Sequence, residues 1–122
     1  MTINERIKAA LDPIGLPVKP DRYKGEAESY LIFRYSTLGD GYADDAPGFE
    51  RCLIQVHYLC PAGVNSLSIR KQVKRSLFQA GFSWPEEVNA GDGAMQKNDE
   101  NKQHYVFECE WLEGIEDGTD QR

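Results

Sequence analysis

The sequence predicts an α+β domain, an antiparallel sheet of about four strands with two helices packed on one face. Three observations lead there. Helical and strand-like segments follow in the order helix, strand, strand, helix, strand, strand. The strand-like segments alternate apolar with polar residues, the pattern of a sheet covered on one side. Consecutive strands are joined by polar loops rather than crossover helices, which suits antiparallel pairing.

The first helix is "TINERIKAAL". Thr2 stands three residues before Glu5, the spacing of a capping box. Ile3, Ile7, Ala10 and Leu11 form one apolar stripe, and Asp12-Pro13 stops the helix. "GLPVKPDRYKG" reads as an extended connector with a short edge strand near Arg22 and Tyr23. In "SYLIFRYST" (29–37), Leu31, Phe33 and Tyr35 form the predicted core face, opposite Tyr30, Ile32 and Arg34.

Residues 38–50, with Gly39, Gly41, Pro47 and Gly48, read as a long acidic loop. In "RCLIQVHYLC" (51–60), Cys52, Ile54, Val56, Tyr58 and Cys60 alternate with Arg51, Leu53, Gln55, His57 and Leu59. Pro61 ends that strand.

"NSLSIRKQVKRSLFQAGF" is the second helix, with Asn65 or Ser66 as N-cap and Gly81 as the residue beyond its end. Ile69, Val73, Leu77 and Ala80 make its inward stripe. Leu67 and Phe78 fall nearly opposite, which reads either as a second tertiary contact or as an exposed patch for a neighbour. "FSWPEEV" (82–88) reads as an edge strand interrupted by Pro85. Residues 89–103 form a second polar loop. "HYVFECEW" (104–111) is the last strand, with Tyr105, Phe107, Cys109 and Trp111 on its apolar side. The expected organisation is a single domain over 1–113 and an acidic, disordered tail over 114–122.

The 122 residues suit one domain, and 40% apolar content suffices for a modest core. With 28% charged residues and a mean hydropathy of -0.59, the chain reads as soluble. No apolar run approaches the ~20 residues of a membrane span. The N-terminus carries acid and base and no apolar stretch, so it does not read as a signal peptide. Cys52 and Cys60, eight apart on one strand, lie roughly 26 Å from each other and cannot pair. Three thiols on strands read as reduced and buried, with a bridge from Cys109 to Cys52 or Cys60 left open.

The net charge of -6 conceals an asymmetry. Residues 51–85 hold Arg51, Arg70, Lys71, Lys74 and Arg75 and no acid; the rest of the chain is strongly acidic. Such a chain offers a basic face to an acidic one, on another copy of itself or on a partner. The overall acidity argues against a dedicated nucleic-acid binder.

Catalytic patterns are not found. His57 and His104 each read as strand histidines; on neighbouring strands they would approach, but two ligands do not make a zinc site. Asp40, Asp44 and Asp45 in "DGYADD" resemble a calcium loop only loosely and lack its spacing. No phosphate-binding glycine loop is present. The reading is therefore of a non-enzyme with no cofactor and no metal. Its candidate contact residues are Asp40, Asp44 and Asp45 in the loop, and Arg70, Lys71, Lys74, Arg75, Leu67 and Phe78 on the helix.

Taken together, "INERIKAALDPIGLPV", "YLIFRYSTLGDGYADDAPGFERCLIQVHYLCPAGVNSLSIRKQVKRSLFQAGF" and "HYVFECEW" resemble small prophage proteins of Gram-positive hosts. Those are similar to the tail-terminator or tail-completion (minor tail) proteins of long-tailed phages. The resemblance spans about residues 2–112; its most distinctive phrases are Y-x-T-x-G-D-x-x-A-D and Q-V-H. It implies a structural protein that assembles into a ring, often a hexamer. The ring caps the tail tube, stops its growth and meets the head connector. It implies assembly in the host cytoplasm, a place in the virion tail, no membrane and no sequence-specific nucleic acid. It carries over no catalytic or cofactor residue. The alternatives are another head–tail connector or minor tail component, a small cytosolic adaptor binding through its edge strand, and, weakest, an enzyme with an unrecognised site.

Overall fold

The computed structural model describes the backbone of residues 2–43, 46–90 and 102–114, and the side chains of 2–37, 51–90 and 102–111. The fold is α+β. Helix α1 (Ile3–Leu11) opens with the capping box: Thr2 Oγ1 accepts from the Glu5 N–H at 3.1 Å, and Glu5 Oε1 accepts from the Thr2 N–H at 2.7 Å. One 3₁₀ turn, Asp12–Ile14, follows. Then come β1 (Val18–Pro20), β2 (Tyr30–Ala43), β3 (Ala46–Pro61), α2 (Leu67–Gln79), β4 (Glu86–Asn89) and β5 (Lys102–Gly114).

Among the described residues the sheet has five strands in the order β1-β2-β3-β5-β4, with β3 at its centre. Every neighbouring pair is antiparallel except β1 and β2, which run parallel. The edge strand expected near Arg22 and Tyr23 therefore lies at Val18–Pro20. Asp21, with φ 65°, turns the chain away immediately after it. A three-residue strand ending in proline has no alternation to read.

The largest departure concerns residues 38–50, expected as a loop. Their described backbone continues β2 and β3 as one hairpin, paired from Tyr30↔Leu59 to Ala43↔Ala46. Gly39, Gly41 and Pro47 oppose strand locally, but a ladder already registered by the preceding residues carries the pairing through them. Pro47 lies beyond Phe49, the last residue of β3 paired with β5 among the described residues, so no described ladder there needs its missing N–H. Asp44 and Asp45, most of the second polar loop (91–101) and the tail 115–122 lie outside the described residues.

Both helices cover one face and touch each other. Ile7 and Leu11 of α1 and Val73 and Leu77 of α2 are buried against Leu31, Phe33, Ile54, Val56, Tyr58 and Phe107 of the sheet. Two residues expected inward are not. Tyr35 is 41% exposed, and its β2 neighbours Arg34, Ser36 and Thr37 are exposed too. Ala80, at the C-cap, is exposed. Cys52, Cys60 and Cys109 are buried and unbridged, and burial pushes the Cys109 thiol up to about 12. At the N-terminus of α2 the N-cap residue Ser66 makes no side-chain capping bond. Asn65 Oδ1 accepts from the Leu67 N–H at 3.2 Å, while the Ser66 hydroxyl donates to Gln103 Oε1.

Gly81 ends α2 at φ 105°, and a Cβ there would lie 2.8 Å from Cζ3 of Trp111. Backbone and neighbour both require glycine. Gly81→Ala is expected to cost about 2 kcal/mol or more, read by urea denaturation. A variant as stable as the parent would show that the turn relaxes freely.

Candidate functional site

Two surfaces carry the chemistry: the outer face of α2 and the sheet face without helices. On α2 the basic run divides. Arg70 Nη2 lies 2.7 Å and Lys74 Nζ 2.9 Å from the Glu87 carboxylate on β4. Burial pushes the Glu87 carboxyl up, but hydrogen bonds from Arg70 and Lys74, with their charges, outweigh it and hold its pKa below the ordinary value. Arg70 also lies over the Tyr105 ring, 4.3 Å from its centroid. Arg70 and Lys74 thus fasten α2 to the sheet within one chain. Lys71 and Arg75, by contrast, are exposed.

Residues 67, 71, 75 and 78 recur at helical spacing, so Leu67, Lys71, Arg75 and Phe78 line one outer stripe. Leu67 is 48% and Phe78 54% exposed. Phe78 meets Trp84 edge-on, with ring centroids 5.4 Å apart. The structure therefore makes Phe78 part of an exposed aromatic pair bridging the Gly81 turn. Asp40 sits within β2 opposite Phe49; its side chain, and Asp44 and Asp45, are outside the description.

On the open sheet face the register sets Arg34 of β2, Gln55 of β3, Glu108 of β5 and Glu86 of β4 in one row. Gln55 Nε2 donates to Glu108 Oε2 at 3.0 Å. A trough of about 720 Å³ runs over this row, lined also by Leu53, Glu110 and Trp84.

Toward the other end of the same face lie His57 and His104, both buried. His57 Nδ1 and His104 Nε2 are 2.8 Å apart, so one ring donates the single proton between them. Burial pulls the His57 pKa down to about 4, with His104 and Arg34 adding to the shift and Glu108 opposing it. His57 is therefore neutral at pH 7. Among the described residues no group of three or more metal-ligating side chains gathers.

Sequence reasoning took both histidines as plain strand residues that could approach if their strands were neighbours, and it named Phe78. It missed Glu87 as the counter-charge of Arg70 and Lys74, and Trp84 as the partner of Phe78. The six-residue spacing of Phe78 and Trp84 across Gly81 was the available signal for the second. The first needed the β4–β5 register.

No family profile and no curated protein matches this chain. One solved structure, whose name states no activity, is similar over 94% of this chain and 97% of its own, with a TM-score of 0.53 and 15% identity. No helix among the described residues is long and apolar enough to cross a membrane. The likeness extends over nearly the whole of both chains, and what it shows is the α+β fold.

Proposed function

We propose that this chain is a non-enzymatic structural subunit of a phage tail, a tail terminator or completion protein. In this reading, copies associate into a ring that caps the tail tube and joins it to the head. The observation that carries the reading is the β2–β3 hairpin. Arg34 to Thr37 of β2 are exposed, yet pairing with β3 continues past them to Ala43. The sequence from 36 to 50 holds four acids and no base. A ladder that continues beyond these exposed residues, with one sign of charge in its sequence, suits contact with another subunit or with the tube. The resemblance of the chain to tail-completion proteins supplies the identity of those partners.

The test is mass in solution by light scattering across protein concentration and salt, with and without purified tail tubes. Association that grows with concentration or on tubes, and weakens in high salt, is the expected outcome. A monomer that ignores the tubes throughout would overturn the proposal.

A further inference from the structure

We propose that the outer stripe of α2 in one copy of the chain seats in the acidic trough on the open sheet face of a second copy. This rests on the ring reading above and names the surfaces through which copies meet.

The first surface is basic and apolar, and its charges are not spent within the chain. Arg70 and Lys74 are held by Glu87. Lys71 and Arg75 are exposed, and among the described residues no carboxylate pairs with either. They stand between Leu67 and Phe78, both about half exposed, and Phe78 leans edge-on against the exposed Trp84. Large apolar side chains held in water around two free cations are the composition of a contact surface.

The second surface is the trough of about 720 Å³. Glu86, Glu108 and Glu110 line it and are exposed, and Arg34 is the one cation among its described lining residues. Glu86 and Glu108 stand directly opposite each other on β4 and β5. Like charges in that position destabilise a sheet, and a cation brought against them offsets the repulsion. Leu53, the cross-strand partner of Glu110, adds an apolar side chain to the lining, as does Trp84.

The spacing of the charges selects a second copy as the occupant. Lys71 and Arg75 are about one turn apart, roughly 6 Å along α2. Glu108 and Glu110 are alternate residues on one face of β5, about 7 Å apart. A helix laid along β5 in either direction therefore sets both cations against both carboxylates. It also brings an apolar end of the stripe, Phe78 or Leu67, toward Leu53 and Trp84 beside Glu110. The open sheet face gains from its neighbour the helix layer that its other face already has. Because the two surfaces lie on opposite faces of the sheet, each copy offers one to each neighbour. That is a head-to-tail contact, the kind that closes into rings.

The test uses the full chain by sedimentation across concentration, with and without tail tubes. Lys71→Glu/Arg75→Glu reverses the helix stripe, and Glu108→Lys/Glu110→Lys reverses the trough. All four positions are exposed, and circular dichroism checks that each variant folds. Either reversed chain alone is expected to associate about tenfold more weakly than the parent, or worse. Mixed together, the two should associate again, because each then meets opposite charge at both of its surfaces. Lys19→Glu/Lys24→Glu shifts the net charge equally at exposed positions that neither lie on α2 nor line the trough, and should associate as the parent does. Association unchanged in both reversed chains, or lost in both and not recovered on mixing, would overturn the seating and leave the ring reading standing. Weakening by the helix reversal alone would place a different acidic surface against α2 and overturn the seating equally. Failure of the parent chain to associate under any condition would overturn both.

Discussion

Acidification from pH 7 to 4 is expected to remove about 3 kcal/mol of folding stability through His57 alone. Its pKa is pulled down to about 4 in the folded chain, against 6.5 when free. Between those values the unfolded chain binds more protons than the folded one, so stability rises with pH across the window and is lost as pH falls. Each unit inside it is worth about 1.4 kcal/mol. The geometry explains the shift. His57 is 8% exposed, Arg34 lies on its face, and its Nδ1 is committed to the contact with His104. Its Nε2 is buried and meets no hydrogen-bond partner among the described residues. Urea denaturation at pH 7, 6 and 5 reads the slope above the range where carboxylates such as Glu87 begin to titrate. His57→Gln should flatten that slope. An unchanged slope in the variant would show that the acid sensitivity lies elsewhere.

Phe107→Ala is expected to cost about 3–5 kcal/mol, a large part of the roughly 5–15 kcal/mol that holds a domain of this size. Phe107 is fully buried on β5, opposite Val56 of β3 on one side and Glu87 of β4 on the other. Truncation opens a cavity beneath both helices that close packing prevents the neighbours from filling. Its sequence neighbour Val106 points to the open face and is only partly buried. Val106→Ala should cost well under half as much, on the order of 1 kcal/mol. Chemical denaturation of the two variants gives the contrast directly. Equal losses would mean that the helix layer does not lie where the alternation of β5 places it.

The chain's own sequence determined the α+β class, both helices, the alternation of the strands and the capping box of Thr2 and Glu5. These are local or periodic signals. A carboxylate three residues from a hydroxyl, or apolar residues at every second position, means the same thing wherever the chain goes. Residues 38–50 were read as a loop, and the first edge strand was misplaced, for a common reason. Gly39, Gly41 and Pro47 argue against strand from local propensity, and their ladder exists because β3 supplies partners in register. Val18–Pro20 is extended because β2 lies beside it, and nothing within three residues announces that.

The candidate surfaces divide the same way. Phe78 and Leu67 were legible as outward positions, because helical spacing places them opposite Val73 and Leu77. That Arg70 and Lys74 are held by Glu87, while Lys71 and Arg75 remain exposed, depends on which residue of β4 faces α2. The approach of His57 to His104 depends on strand order. Periodicity assigns a residue to a face; only the pairing of strands distant in sequence assigns it a neighbour. A ladder's register is settled by contacts between segments, and no segment carries it alone.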